Sequence, residues 1–334
     1  MLAIVCPGQG SQTSGFLAPW RELPSAEAAL RAASEAAQVD LVRHGTTSDA
    51  ETIKDTAIAQ PLIVAAGIAA FRALLGDGHD DAAGDGGTSC PVTPGIAGVA
   101  GHSVGEITAA VIAGVLDDAD AMVLVRERGR AMARASAIRP TGMSAVVGGD
   151  PDEVAAALAR HGLTPANMNG AGQVVAAGTM EQLAAFAEDA PAKSRVIPLS
   201  VAGAFHTEHM RPAIDVLAEC ARSVTPHAPW VTLLSNRDGQ PVRDGADALA
   251  RIVDQVGRPV RWDLVMESLV GLGVTALIEL PPAGTLVGLA KRGMPGVKTL
   301  ALKSPDDVDA ARAMLAEHGA AAGMAAAHGG AVQA

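Results

Sequence analysis

The chain has 334 residues, which is enough for a large domain with a second, smaller one inserted or appended. Its net charge of −11 and its aromatic content of 2% argue against nucleic-acid binding, which needs a basic face and stacking aromatics. No run reaches the roughly 18 uninterrupted apolar residues of a membrane span, and three dispersed cysteines (Cys6, Cys90 and Cys220) predict no metal cluster and a reducing, cytoplasmic location.

The first part of the chain is predicted to alternate buried strands with helices. Residues 1–6 form an apolar run without a basic start, which predicts a strand rather than a signal peptide. The loop at 7–12 (PGQGSQ) lacks the Gly-Lys-Ser/Thr ending of a phosphate loop. Helices are predicted at 26–38, 55–75 and 117–137, besides one directly after residue 106. Pro61 is expected to kink or divide the helix at 55–75. A solvated Gly/Asp/Pro-rich loop is predicted at 76–95.

From about residue 138 the pattern changes to short strands and helices in the order βαββαβ, which is typical of a ferredoxin-like module. Strands and helices then alternate again to residue 302. The sequence therefore predicts an α/β fold: a large domain with a hydrolase-like core and a mainly parallel sheet flanked by helices, plus an inserted ferredoxin-like small domain. The predicted boundaries are 1–137 and 204–319 for the large domain, 138–203 for the small one, and 320–334 for a disordered Ala/Gly-rich tail.

A candidate nucleophile lies in the stretch 101–106 (GHSVGE), between the apolar run 96–100 and a predicted helix. The order strand, G-x-S-x-G, helix forces a serine onto a sharp turn with its hydroxyl exposed. Its glycines permit a close approach of strand and helix where a Cβ would collide. By itself the pattern leaves two interpretations of Ser103 open, a nucleophile or a structural turn.

A nucleophilic serine needs a base, usually a histidine within hydrogen-bond reach. His102 adjoins Ser103 and is expected to point away from it on a tight turn. His206 lies in a Gly/Ala/Phe loop where the chain returns from the predicted small domain, beside the expected cleft, and His209 follows one turn later. The residues favour His206 as the base and leave His209 as the second choice.

Six ordered motifs give the chain a more specific resemblance. They are 7–12 (PGQGSQ), 101–106 (GHSVGE), 126–132 (RERGRAM), 204–207 (AFHT), 255–262 (QVGRPVRW) and 279–286 (ELPPAGTL). In this order and spacing the chain resembles the malonyl-CoA:acyl-carrier-protein transacylases of fatty-acid and polyketide synthesis. The resemblance covers about residues 2 to 303. It implies a ping-pong transfer of malonyl from malonyl-CoA to an acyl carrier protein, without a metal or redox cofactor.

The resemblance also implies a role for each site residue. Ser103 would attack the thioester and His206 would accept its proton, while the main-chain carbonyl of Gln255 orients the histidine. The N–H groups of Gln9 and Val104 would form an oxyanion hole. Three further residues would contact the acyl group. The planar guanidinium of Arg128 would hold the free malonyl carboxylate through two parallel hydrogen bonds, and Phe205 and His102 would line the acyl pocket. Without the resemblance, Arg128 would be interpreted as a surface arginine paired with Glu127 or Glu106.

Phe205 before His206 resembles the form of this motif that accompanies malonyl rather than methylmalonyl units. The expected carrier is acidic, as is this chain, so docking needs a local basic patch. Its candidates are Arg258, Arg261, Lys291 and Arg292. The alternatives are a serine hydrolase, either a thioesterase or a patatin-like esterase, and a non-catalytic acyl-binding module. The oxyanion loop of α/β-hydrolases is absent from the sequence, and Asp85-Gly86-Gly87 precedes Ser103 rather than following it.

Overall fold

The computed structural model describes residues 1–76 and 95–328. Cys90 and all but the two end residues of the predicted loop at 76–95 therefore lie outside the described residues. Within them the strands form one sheet of six and one of four. The strands are β1 (Leu2–Cys6), β2 (Ile96–Gly101), β3 (Thr141–Gly148), β4 (Thr164–Gly170), β5 (Gln173–Thr179), β6 (Ser194–Pro198), β7 (Leu233–Leu234), β8 (Pro241–Val242), β9 (Ala276–Glu279) and β10 (Lys298–Ala301).

The six-stranded sheet has the order β10-β9-β1-β2-β7-β8. All neighbouring pairs are parallel except β7 with β8, which places one antiparallel strand at an edge. Every residue of β1 is buried, as expected for a central strand covered on both faces. This arrangement confirms the predicted mainly parallel sheet.

The four-stranded sheet is antiparallel, with the order β4-β5-β3-β6. Numbered within the module, this is the order 2-3-1-4, which together with its two helices gives the predicted ferredoxin-like arrangement. The helices bury a small cluster of their own against one face, centred on Val146, Leu158 and Phe186. The division of the chain into domains at residues 138 and 203 stays a prediction.

Helices cover the larger sheet on both faces. The described α-helices are α1 (Pro24–Ala37), α2 (Leu41–Thr46), α3 (Thr56–Leu75), α4 (Gly105–Ile112), α5 (Asp118–Ser136), α6 (Pro151–Arg160), α7 (Met180–Glu188), α8 (Arg211–Ala221), α9 (Gly245–Gln255), α10 (Trp262–Gly271), α11 (Thr285–Gly293) and α12 (Val308–His328). Of these, α6 and α7 pack on the four-stranded sheet instead. Of the described helices, α3 alone is long and apolar enough to cross a membrane, and most of it is packed inside the protein. It is a single helix, so Pro61 does not divide it.

The structure differs from the sequence-based predictions in several helices. The helix predicted at 249–256 begins earlier, as α9 from Gly245, because the Asp244 side chain caps it by accepting from the N–H of Asp247. The short helix α2 and the C-terminal α12 were not predicted. The helix α12 continues to His328, so residues 320–328 are helical where the sequence predicts a disordered tail, and 329–334 lie outside the described residues.

Candidate active site

The turn between β2 and α4 carries Ser103 in a left-handed backbone conformation, with φ of 55°. A Cβ at Gly101 would collide with the backbone of Gly105, and one at Gly105 would collide with the carbonyl of Cys6. Only glycine fits both positions, which is why the strand and helix can approach so closely here. Ser103 is partly exposed at the tip of this turn. The predicted elbow is therefore present.

Ser103 and His206, 103 residues apart in the chain, meet at 2.8 Å between Oγ and Nε2. The Nδ1 atom of His206 lies 2.9 Å from the main-chain oxygen of Gln255. A carbonyl can only accept, so Nδ1 carries the proton and Nε2 presents its lone pair to the serine hydroxyl. This is the arrangement in which an imidazole can take the hydroxyl proton.

His206 is 3% exposed and has a positive φ of 62°. Burial, reinforced by the nearby positive charge of Arg128, lowers the pKa of His206 to about 3. The imidazole of the free protein is therefore neutral throughout the physiological pH range and competent as a base.

Arg128, on α5, is the third member of this constellation and is 1% exposed. Its guanidinium donates to the side-chain oxygens of Gln60 at 2.7 Å and Gln255 at 2.9 Å, and lies 3.4 Å from Ser103 Oγ. The predicted alternative was a surface arginine paired with Glu127 or Glu106, but Arg128 is buried and Glu127 pairs with Arg126 and Arg130 instead. Among the described residues Glu106 makes no ion pair with Arg128 within 4.0 Å, although its charge still acts on the guanidinium. Burial lowers the pKa of Arg128 to about 10, which leaves it charged at neutral pH. A buried cation held by neutral amides can receive an anion beside the serine.

The two predicted oxyanion donors also lie near the elbow. The N–H groups of Gln9 and Val104 make no hydrogen bond to any described residue, so both are available to a ligand. The loop of Gln9 runs close beside the elbow. A Cβ added at Gly8 would lie only 2.9 Å from the main-chain oxygen of His102. The side-chain nitrogen of Gln9 holds the loop against the start of α3, at 3.3 Å from the main-chain oxygen of Lys54 and 3.5 Å from the hydroxyl of Thr56. Two unpaired donors near a nucleophile suit a developing negative charge.

Sequence reasoning missed a buried polar network under the elbow. The side chain of Asn236 accepts from the N–H of Ser103 at 2.8 Å and donates to the oxygen of Gly101 at 2.7 Å. It also accepts from the side-chain nitrogen of Gln255 at 3.1 Å. The carboxylate of Glu106 accepts from the Asn236 main chain, and burial raises the pKa of Glu106 to about 8. Uncharged amides in ordinary-looking segments gave no signal, and only Glu106, inside the serine motif, stood out.

The remaining predicted residues lie close to the site without making its central contacts. His102 points away from Ser103, as expected, and its Nε2 lies 3.0 Å from the side-chain oxygen of Asn169. Its ring packs on Trp262, with centroids 5.6 Å apart. Phe205 is buried in the main hydrophobic core, next to His206. Their assignment to an acyl pocket stays a prediction.

The four candidates for a carrier-docking patch have mixed surroundings. Arg258 and Arg261 each pair with a neighbouring acid, at 3.5 Å and 2.8 Å. Lys291 and Arg292 lie in the last turn of α11, where Arg292 contacts Gln173. Half of the candidate patch is thus compensated by nearby carboxylates. No group of three or more His, Cys, Asp or Glu side chains that could hold a metal ion occurs among the described residues.

The chain is similar to known proteins over most of its length. A family model described as the acyl transferase domain matches residues 3–314. A malonyl CoA-acyl carrier protein transacylase of Mycobacterium tuberculosis is 51% identical over 309 residues, which cover 92% of this chain and 98% of the relative. The crystal structure of MCAT from Mycobacterium tuberculosis is similar with a TM-score of 0.84 and 51% identity, over 92% of this chain and 98% of that one.

A solved complex of a type II PKS acyl-carrier protein with its malonyl-transacylase is also similar, with a TM-score of 0.85 and 29% identity, covering 94% of this chain and 99% of that one. The matches favour an acyltransferase over the serine-hydrolase alternative. Because the family model and the relatives span nearly the whole chain, it belongs to the malonyl CoA-acyl carrier protein transacylases, which are built on the acyl transferase domain.

Proposed function

We propose that this chain transfers malonyl from malonyl-CoA to the phosphopantetheine thiol of an acyl carrier protein through a malonyl ester on Ser103. One observation carries the proposal: the hydrogen-bonded pair of Ser103 and His206 lies beside the buried guanidinium of Arg128, which has no carboxylate partner within 4.0 Å among the described residues. A nucleophile, its base and a cation without an ion-pair partner at one point match an acyl group that ends in a carboxylate.

In the first half-reaction, the Oγ of Ser103 attacks the thioester carbonyl while its proton moves to Nε2 of His206. The N–H groups of Gln9 and Val104 stabilise the oxyanion that forms. The carbon–sulfur bond then breaks, and the protonated imidazole returns its proton to the departing CoA thiolate. The bond formed is the ester to Ser103, and no oxidant or metal enters the balance.

In the second half-reaction, the carrier thiol takes the place of CoA. His206 removes the thiol proton, the thiolate attacks the ester carbonyl, and the same donors hold the oxyanion. The carbon–oxygen bond breaks, and His206 returns the proton to Ser103. A serine hydrolase would use water at this step, so the choice between carrier thiol and water decides between the two activities.

The carrier partner and the compartment are parts of the same proposal. The relative solved in complex with an acyl-carrier protein supports a carrier as acceptor. Fatty-acid and polyketide carriers offer the same kind of thiol, so the chemistry of the site suits both. The free thiols of Cys6 and Cys220 suit a reducing cytoplasm.

The deciding experiment is intact-protein mass after brief mixing with malonyl-CoA, on the parent and on Ser103→Ala. We expect a malonyl adduct on the parent alone, discharged faster by a carrier thiol than by water. Steady CoA release without carrier-dependent discharge would make the protein a hydrolase. Neither adduct nor release would leave only a binding role.

Phe205 is expected to restrict the acyl group, because a bulky ring beside His206 crowds an α-methyl substituent. Phe205→Ser should raise the methylmalonyl-to-malonyl ratio of kcat/KM, measured with both CoA esters. Phe205→Leu, which retains most of the bulk, is the matched control. Since Phe205 is buried, the serine variant is also expected to unfold at a lower temperature. Equal turnover of both esters by the parent would contradict the steric argument.

A further inference from the structure

Asn236 lies 0% exposed between β7 and β8, and its side chain has a fixed orientation. The N–H of Ser103 can only donate and the carbonyl of Gly101 can only accept. The side-chain oxygen of Asn236 must therefore face the N–H of Ser103, 2.8 Å away, and its side-chain nitrogen must face the carbonyl of Gly101, 2.7 Å away. The backbone of the elbow thus sets which way this amide points.

The orientation of Asn236 in turn fixes that of the side-chain amide of Gln255. The oxygen of Asn236 accepts from the side-chain nitrogen of Gln255 at 3.1 Å. With its nitrogen used there, Gln255 turns its side-chain oxygen toward Arg128, at 2.9 Å. Its main-chain oxygen is separately bonded to His206. Gln255 therefore contacts His206 through its main chain and Arg128 through its side chain.

The main chain of Asn236 is fixed from both sides as well. Its N–H donates to the carboxylate of Glu106 at 2.6 Å, and its carbonyl accepts from the N–H of Arg261 at 2.8 Å. A side chain held this firmly can transmit orientation, because it has no second arrangement that keeps its hydrogen bonds.

We propose that Asn236 is a positioning residue that aims Arg128 at the acyl carboxylate, through the orientation it imposes on the side-chain amide of Gln255. The inference rests on the proposed function, since it assigns Arg128 to the malonyl carboxylate. It adds a specificity role for two buried, uncharged side chains that do not contact the reacting atoms. The role predicted for Gln255 from the sequence concerned only its main chain.

The test compares two rates of Ser103 modification, both followed by intact mass. Malonyl-CoA loading uses the arginine, whereas labelling by a fluorophosphonate, which has no carboxylate, uses only the serine, the histidine and the oxyanion donors. The ratio of the two rates measures the preference for malonyl. The variants are Asn236→Leu, Gln255→Leu and the double variant. Gln240→Leu, an exposed amide in the same segment, is the matched control.

We expect Asn236→Leu to lower the malonyl preference roughly 10- to 100-fold, as for one unsatisfied buried hydrogen bond. Gln255→Leu should also lower it, by slowing malonyl loading more than fluorophosphonate labelling, because its side chain contacts Arg128 whereas its main chain contacts His206. The double variant should show no lower preference than Gln255→Leu, because the two residues act in series. Gln240→Leu should behave as the parent.

Asn236→Leu leaves backbone groups at the elbow unpaired, so its thermal unfolding is measured alongside. If it does not fold, Gln255→Leu decides alone: a retained malonyl preference overturns the inference. Equal loss of both rates in Asn236→Leu, or a double variant whose losses multiply, would also overturn it. Absence of a malonyl adduct on the parent removes the proposed function and the inference together, whereas an adduct with unchanged preferences removes only the inference.

Discussion

Replacing His206 by alanine is expected to slow malonyl loading of Ser103 by about 10²–10⁴, the usual range for losing a general base. The reason is the 2.8 Å contact between Ser103 Oγ and His206 Nε2, because no other histidine contacts the serine among the described residues. Rapid-quench intact mass measures the loading rate directly. The oxyanion donors remain in this variant, so a slow residual loading should persist.

His209→Ala is the matched control for this variant, because His209 lies in the same segment and was the second choice for the base. It takes no part in the bonds around Ser103. Its loading rate should stay close to that of the parent. If both variants lost the same activity, the segment as a whole rather than the imidazole of His206 would be responsible.

Arg128→Ala should lower kcat/KM for malonyl-CoA by about 10²–10³, the cost of truncating one partner of a buried charge pair. Acetyl-CoA has no carboxylate to lose, and we expect the variant to accept it better than the parent does, because an uncompensated cation no longer borders the acyl group. Steady-state kinetics with malonyl-CoA and acetyl-CoA gives the variant-to-parent ratio of kcat/KM for each ester. Arg130→Ala, a more exposed arginine on the same helix, is the control. Unchanged malonyl kinetics would remove Arg128 from carboxylate binding.

The same variant should change the pH dependence of acetyl loading. Arg128 contributes to the lowered pKa of His206, so removing its charge must raise that pKa from about 3. Since the neutral imidazole is the base, the acidic limb of the loading rate should move to higher pH in Arg128→Ala. The parent should load at a nearly constant rate from about pH 8 to pH 5, where an unperturbed histidine with a pKa near 6.5 would already be losing its base form.

The sequence predicted the parts of the site that have a local or chemical signature. The glycines around Ser103 and the apolar run before it indicated the elbow, and the return from the ferredoxin-like module indicated His206. Hydrophobic alternation predicted the order of strands and helices, and the family resemblance supplied Arg128. These features are properties of short segments, so one sequence suffices to find them.

The network beneath the elbow could not be predicted in this way. Asn236 follows Ser103 by 133 residues, and Gln60 precedes Arg128 by 68. Nothing in the composition around either amide separates it from a solvated side chain, and their partners are defined only once β2, α3 and α9 have packed. The start of α9 depends on a cap rather than on an apolar run, because the Asp244 side chain accepts from the N–H of Asp247.

The order of strands in the larger sheet has a consequence for synthesis on the ribosome. The first strand, β1, has β2 on one side and β9 on the other, so half of its pairing waits until residues 276–279 have emerged. The strands of the four-stranded sheet pair with one another within residues 141–198, and this sheet can form much earlier. Long-range pairing of this kind slows folding and leaves strand edges exposed in the meantime. We therefore expect nascent chains that end before residue 276 to need chaperone protection for β1, although Ser103 has already been made.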